Sequence, residues 1–230
     1  MNRIGIVLFA CAVAVAADEP LRTPGEQVLH ALRGALGRSD DAAAVALLRE
    51  VGGLVRYPAS PKEAAALLKV AGEASKSKRV PVVIAALGAL GDTRAAAAAV
   101  HVEPFLRAAK PAPGEEKIMV AAVRAAGRLR ASVAIPALIK LASKSPDVTI
   151  ADQSFGALGE FCGADDALRK NVTNKVLAAC QLLSRKRSKW NRLRAPGLRA
   201  LQRLTGRKLN TVTQFTDWWR HAKTLKHPFG

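Results

Sequence analysis

The sequence predicts an all-α protein, built as an α-solenoid of stacked helix pairs. Half of the 230 residues are hydrophobic but only 4% are aromatic, so Ala, Leu and Val carry the apolar content. Ala and Leu are strong helix formers. Runs of β-branched and aromatic residues of strand type are nearly absent. A helical segment ending in glycine recurs as "AALGALGD" from Ala85, "AAVRAAGR" from Ala121 and "QSFGALGE" from Gln153. The last glycines, Gly91, Gly127 and Gly159, are 36 and 32 residues apart. Each copy leads through a short turn into a second helical run, and helix–turn–helix at this period is the signature of a solenoid.

The chain opens on "MNRIGIVLFACAVAVAADEP". Arg3 precedes an apolar stretch from Ile4 to Val15, and Ala14 and Ala16 supply small residues before the break at Asp18. This fits a secretory signal peptide over residues 1–17, leaving 18–230 as the mature domain. The run is too short to span a membrane comfortably. A buried N-terminal helix is one alternative. Lipid attachment at Cys11, which ends "LFAC", is another, though Phe9 suits a lipobox poorly.

"LLREVGG", ending near Gly52, is a fainter copy of the glycine-ended helix. Asp40–Asp41 and Asp165–Asp166 each stand before a helical run. Paired carboxylates suggest acid–base chemistry, but N-capping and the helix dipole account for both pairs. In "VAAVRAAGRL" Val120, Val123, Ala126 and Leu129 form an apolar stripe, with Arg124 and Arg128 together one turn apart. The alanine run Ala95–Ala99 lengthens its repeat by about one helical turn. Cys162 falls in the turn "FCGADD", and Cys180 lies about fourteen residues into the next helix, hence about 20 Å along it. A disulfide needs α-carbons within about 7 Å, so two buried free thiols are expected.

These repeats resemble the HEAT-repeat family, including its bacterial HEAT-like members. "ALGALGDTRA", with Asp92 and Arg94 at the turn, looks like the end of the family's first helix. "ASVAIPALIKLA", with Pro136 near its start, is similar to the second. The resemblance is clearest over 80–183 and weaker over 27–75. It implies a right-handed α-solenoid of four to six helix pairs and a curved surface for binding other molecules. It implies no particular activity.

Residues 184–208 hold ten basic side chains and no acidic one: Arg185, Lys186, Arg187, Lys189, Arg192, Arg194, Arg199, Arg203, Arg207 and Lys208. They are the candidate anion- or partner-binding residues. The segment reads as a basic linker followed by a helix that Pro196 starts. On that helix Leu198, Leu201 and Leu204 form one face and Arg199, Arg203 and Arg207 another, and Gly206 ends it. Thr211 and Gln214 make a capping box for a final helix. Phe215, Trp218, Trp219, Ala222 and Leu225 share its apolar face. A solenoid's last repeat exposes an apolar face unless capped. Phe215 and one tryptophan are expected to cover it, with the other at the rim. "LTG" followed by "WW" looks like the tail of exported bacterial proteins with HEAT-like repeats.

The formal net charge is +18. Residues 1–160 carry 20 basic and 15 acidic side chains, whereas residues 161–230 carry 16 and 3. Such a field attracts acidic polymers, anionic lipid or nucleic acid, and also serves as a solvated face. The chain has no His-Glu-x-x-His, Cys-x-x-Cys, Gly-x-Ser-x-Gly or phosphate-cradling glycine loop. None of His30, His101, His221 and His227 precedes a glutamate. The expectation is a non-catalytic exported scaffold without metal or cofactor, binding an unidentified protein, or an acidic polymer or lipid surface. The alternative is a nucleic-acid-binding protein similar to HEAT-like alkylpurine DNA glycosylases. That reading needs an intracellular chain and an aromatic–carboxylate constellation. Trp190, Trp218 and Trp219 lie toward one end of the sequence, with only Asp217 near them.

Overall fold

The computed structural model describes residues 22–107, 111–112 and 114–229. The signal-peptide reading and Cys11 lie outside these residues. The described chain is all-helical: α1 (Pro24–Gly37), α2 (Asp41–Arg56), α3 (Pro61–Ala74), α4 (Val80–Thr93), α5 (Ala99–Arg107), α6 (Glu116–Leu129), α7 (Ile135–Lys144), α8 (Val148–Gly159), α9 (Asp166–Ser184), α10 (Arg187–Thr205) and α11 (Val212–Ala222). No described helix is long and apolar enough to cross a membrane.

Local chemistry sets the helix starts. Asp40 and Asp165 accept from the Ala43 and Leu168 amides at 3.0 and 2.8 Å, so the carboxylate pairs serve as caps. Asp41 pairs with Arg79 at 2.7 Å, and Asp166 stands 3.3 Å from His227 Nδ1. The boxes Thr23–Glu26 and Thr211–Gln214 start α1 and α11. Pro136 occupies the first turn of α7, where a missing N–H is harmless.

The even-numbered helices form one row, α2 against α4, α4 against α6, α6 against α8 and α8 against α10. The odd-numbered helices pack on its other side, α1 on α2, α5 on α6, α7 on α8 and α9 on α10. The repeated glycines set how closely the row packs. A β-carbon on Gly91 would come within 2.7 Å of the Ala125 α-carbon, and one on Gly127 within 2.7 Å of the Ala157 α-carbon. Gly159 faces the same kind of neighbour less closely, with Arg203 Cδ at 3.4 Å and the Ala200 α-carbon at 3.5 Å, an ordinary van der Waals distance. Gly91 and Gly127 therefore receive the backbone of the next helix at an alanine two residues before that helix's own glycine. α2 has Gly52 but Glu50 where the alanine would be, and Gly52 meets the Ala89 carbonyl and the Asp92 β-carbon. α10 has Ala200 but Gln202 where the glycine would be, and Gln202 Nε2 donates to the Leu209 carbonyl at 3.0 Å.

The alanine run does not lengthen its repeat. Ala96–Ala98 form a short 3-10 turn before α5, and Ser132–Ala134 form the equivalent turn before α7. Both turns begin five residues after their glycines, Gly91 and Gly127. The longer spacing comes from the connection to the next helix, which is longer between α5 and α6 than between α7 and α8.

Pro196 does not start a helix. It lies inside α10, which begins at Arg187, so the expected basic linker is already helical. The apolar stripe runs through the proline: Trp190, Leu193, Gly197, Leu201 and Leu204 follow helical spacing, and Leu193, Leu201 and Leu204 are fully buried. Packing of this stripe outweighs the one hydrogen bond that a proline removes. A β-carbon on Gly197 would lie 2.8 Å from Cys180 Sγ, so α10 sits tightly against α9 here. α9 is unbroken from Asp166 to Ser184, and Cys162 and Cys180 are free thiols as expected, but only Cys180 is buried; Cys162, in the turn before α9, is partly exposed. Burial pushes the Cys180 thiol up to about 12.

Candidate functional site

The even-numbered row leaves one face open to solvent, and three adjoining depressions of about 510, 540 and 460 Å³ cross it. Asp92 lines the first and second, Arg124 the first and third, and Ile84 and Lys117 the second and third. Together they make one groove spanning α2 to α10.

The groove has two lanes. The first follows the C-terminal halves of the helices, where Arg56, Arg94, Arg124, Arg128 and Arg203 face Asp92 and Glu160. Arg128 pairs with Asp92 at 2.5 Å, and Arg203 with Glu160 at 2.7 Å. Arg199 pairs with Asp152 at 3.2 Å, and Arg124 donates to Gln153 at 2.8 Å. Arginines on α6 and α10 thus meet carboxylates on or just after α4 and α8, as rungs between neighbours. Arg56 approaches the Tyr57 ring at 5.5 Å, and neither it nor the exposed Arg94 has an ion pair among the described residues. Arg94 is the αL cap of α4, with φ of 53°. The second lane follows the N-terminal halves and is mainly apolar: Val45, Val80, Pro81, Ile84, Ala85, Val120 and Ala121, with Arg49, Lys117, Glu116 and Asp147 beside them.

The ten basic residues of the C-terminal stretch do not form one patch. Arg185, Lys186 and Arg187 sit exposed at the α9–α10 turn. Arg207 and Lys208 lie beyond the other end of α10, about 27 Å away along its axis. Arg199 and Arg203 join the groove through their ion pairs, and Arg192, exposed, is on the same side of α10 by helical spacing. Arg194 points into a separate hollow of about 460 Å³, with Trp190, Asp217 and Arg220. Lys189 is committed elsewhere. Its ammonium donates to the Ser143 and Ser145 carbonyls at 3.1 and 2.8 Å, tying α10 to the end of α7. Burial, followed by the charge of Lys186, lowers its pKa. Arg207 is not on the helix with Arg199 and Arg203. Gly206, at φ of 71°, ends α10 before it, and its guanidinium lies 5.7 Å from the Trp218 ring.

Phe215 and Trp219 are buried and Trp218 is half-buried, so α11 covers α9 with one tryptophan inside and one at the rim. Trp219 Nε1 donates to Asn174 Oδ1 at 2.5 Å. Leu225 lies beyond α11 and is 56% exposed, so it does not belong to the apolar face. Phe229 takes that role: it stacks on Trp219 at 5.7 Å, with the Arg169 guanidinium 4.0 Å from its ring centre. The sequence offers no signal for Phe229, because the chain must fold back onto α9 to bring it there.

Among the described residues no group of three or more His, Cys, Asp or Glu side chains could hold a metal. No protein-family model matches the chain, and no curated protein matches it.

Proposed function

We propose that the chain is an exported, non-catalytic α-solenoid of HEAT type, acting as a scaffold that binds a protein partner in the groove over α2 to α10. The continuous groove is the observation that carries this reading. The stepwise Gly-on-Ala packing and the alternation of odd and even helices support the solenoid. The apolar N-terminal stretch supports export.

The groove's chemistry favours protein over nucleic acid. Asp92, Asp152 and Glu160 stand among its arginines, and half of its floor is apolar. A surface that follows phosphates needs clustered cations without carboxylates between them. Here the carboxylates oppose a polyanion, and the apolar lane offers burial that a phosphate backbone cannot use.

A photo-crosslinking side chain placed at Arg94, in the groove, tests the reading in the native cells. It should trap a discrete protein, and the same probe at Val100, 65% exposed on α5, should not. Equal trapping at both positions, or trapping of nucleic acid at Arg94, would overturn it. Intact mass of the native protein tests export separately: a chain starting at Ala17 or Asp18 is expected, and one that retains Met1 would sink that part.

A further inference from the structure

The two lanes of the groove run side by side, and their spacing specifies what fits. Ile84 on α4 stands eight residues before Asp92, about 12 Å along the helix. On α6, Val120 stands four residues before Arg124 and eight before Arg128, about 6 and 12 Å. The apolar and basic lanes are therefore offset by about 6 Å at Arg124 and about 12 Å at Arg128, within reach of one α-helix of about 10–12 Å diameter laid between them. Both lanes cross the row. From α2 to α8 there are three interhelix steps of about 8–10 Å each, hence roughly 24–30 Å. A helix of about 20 residues is about 30 Å long.

The basic lane retains charge after its internal pairs are counted. Arg128 and Arg203 are neutralised by Asp92 and Glu160. Among the described residues Arg56 and Arg94 have no ion pair, and Arg124 is bonded to the neutral Gln153. These three guanidiniums line the same depression. The apolar lane leaves Val80 39% exposed and Ile84, Val120 and Ala121 half-buried.

We infer that the groove's occupant is an amphipathic helix of a partner protein, laid across α2 to α8, with an apolar stripe in the N-terminal lane and a flanking row of Asp or Glu on Arg56, Arg94 and Arg124. The inference rests on the scaffold reading and adds the chemical class of the partner. Each lane alone is a weak site. Apolar contact without charge gives no fixed direction, and exposed ion pairs without burial contribute little. Together they select a helix with both features and a defined rotation about its axis.

Four synthetic probes test this with the full chain by fluorescence anisotropy. The first is a 20-residue helical peptide with a leucine stripe flanked by glutamates. In the second, lysines replace the glutamates, and in the third, serines replace the leucines. The fourth is a duplex oligonucleotide. The first peptide should bind about tenfold or more tightly than the others at moderate salt. The double variant R56E/R94E should weaken it about tenfold and V80D by several-fold. R185E/R187E, at the α9–α10 turn, should leave it unchanged. Thermal melts establish that each variant is folded, and R56K/R94K, which retains charge, should bind nearly as well as the parent.

Equal binding of the leucine and serine peptides would overturn the two-lane inference while leaving a scaffold for acidic segments. Tightest binding by the oligonucleotide would overturn both readings. Absence of binding by the first peptide up to about 1 mM, with a partner still trapped at Arg94, would reject the amphipathic helix alone.

Discussion

The middle of the molecule and its C-terminal third are held together by opposite means. Between α4 and α8 the packing depends on missing side chains: Gly91 and Gly127 let the next helix approach by its backbone at Ala125 and Ala157. In the C-terminal third, bulk does the work. Phe161, Phe215 and Trp219 are buried there, and polar side chains reach backbone carbonyls, as Arg169 does to Leu204 and Lys170 to Leu225. Contacts between backbones tolerate no added atom and repeat easily. Contacts between large side chains are individual and close an end once. The two regions should therefore respond differently to substitution.

Trp219→Ala gives the largest loss, about 3–5 kcal/mol, because it opens a cavity and leaves Asn174 without its donor. At about 2–4 °C per kcal/mol for a chain of this size, the melting temperature should fall by roughly 6–20 °C. Trp218→Ala, at the rim, should cost only about 1 kcal/mol. Similar losses for the two would mean that both tryptophans bear on the end closure equally.

Gly127→Val forces a β-carbon into the Ala157 backbone and should cost about 3 kcal/mol, read by chemical unfolding. The same helix row contains the opposite case. Gly156 faces open space, so Gly156→Ala should stabilise by about 0.5–1 kcal/mol through helix propensity. A loss at Gly156 would break the distinction between packing glycines and surface glycines.

Cys180 gives the C-terminal core a pH dependence through its buried thiol. Its folded-state pKa of about 12 lies above the usual thiol value, so the unfolded chain releases the thiol proton first as pH rises. The thiol's contribution is present below about pH 9 and is lost as pH climbs toward about 12. Cys180→Ala should flatten that alkaline decline in melting temperature.

The smallest effect belongs to the rungs between helices. Arg128 and Asp92 are about half exposed, so Asp92→Ala should cost less than about 1 kcal/mol and less again in high salt. A loss of several kcal/mol would make the ion pairs, rather than the glycines, the means by which the row holds.

The helices of the middle region were legible because their signals are local. Glycine periodicity, capping residues and apolar spacing gave the copies and their turns, and the box Thr211–Gln214 marked α11. Pro196 misled because a proline is strong local evidence for a helix start. Only the stripe from Trp190 to Leu204 shows that one helix passes through it. The basic residues of the C-terminal stretch looked like a single surface because sequence proximity does not show which way each side chain turns. The groove was harder still. Arg56, Arg94, Arg124 and Arg203 are far apart in the chain, and only the alignment of successive helices brings them together. A trace of it was present: the residues after the repeated glycines are Asp92, Arg128 and Glu160, opposite charges in alternation. Phe229 had no such trace.

The mismatch at the two ends of the glycine series has a further meaning. α2 offers a receiving glycine but no alanine to insert, and α10 offers the alanine but no glycine to receive another. In the language of polymers, α2 is an initiator, α4, α6 and α8 are propagating units, and α10 is a terminator whose Gln202 occupies the reactive site. The number of units is then written into the side chains themselves. Among the described residues the complete glycine-on-alanine junction is not repeated beyond α2 or α10, so the series of copies ends with these two helices.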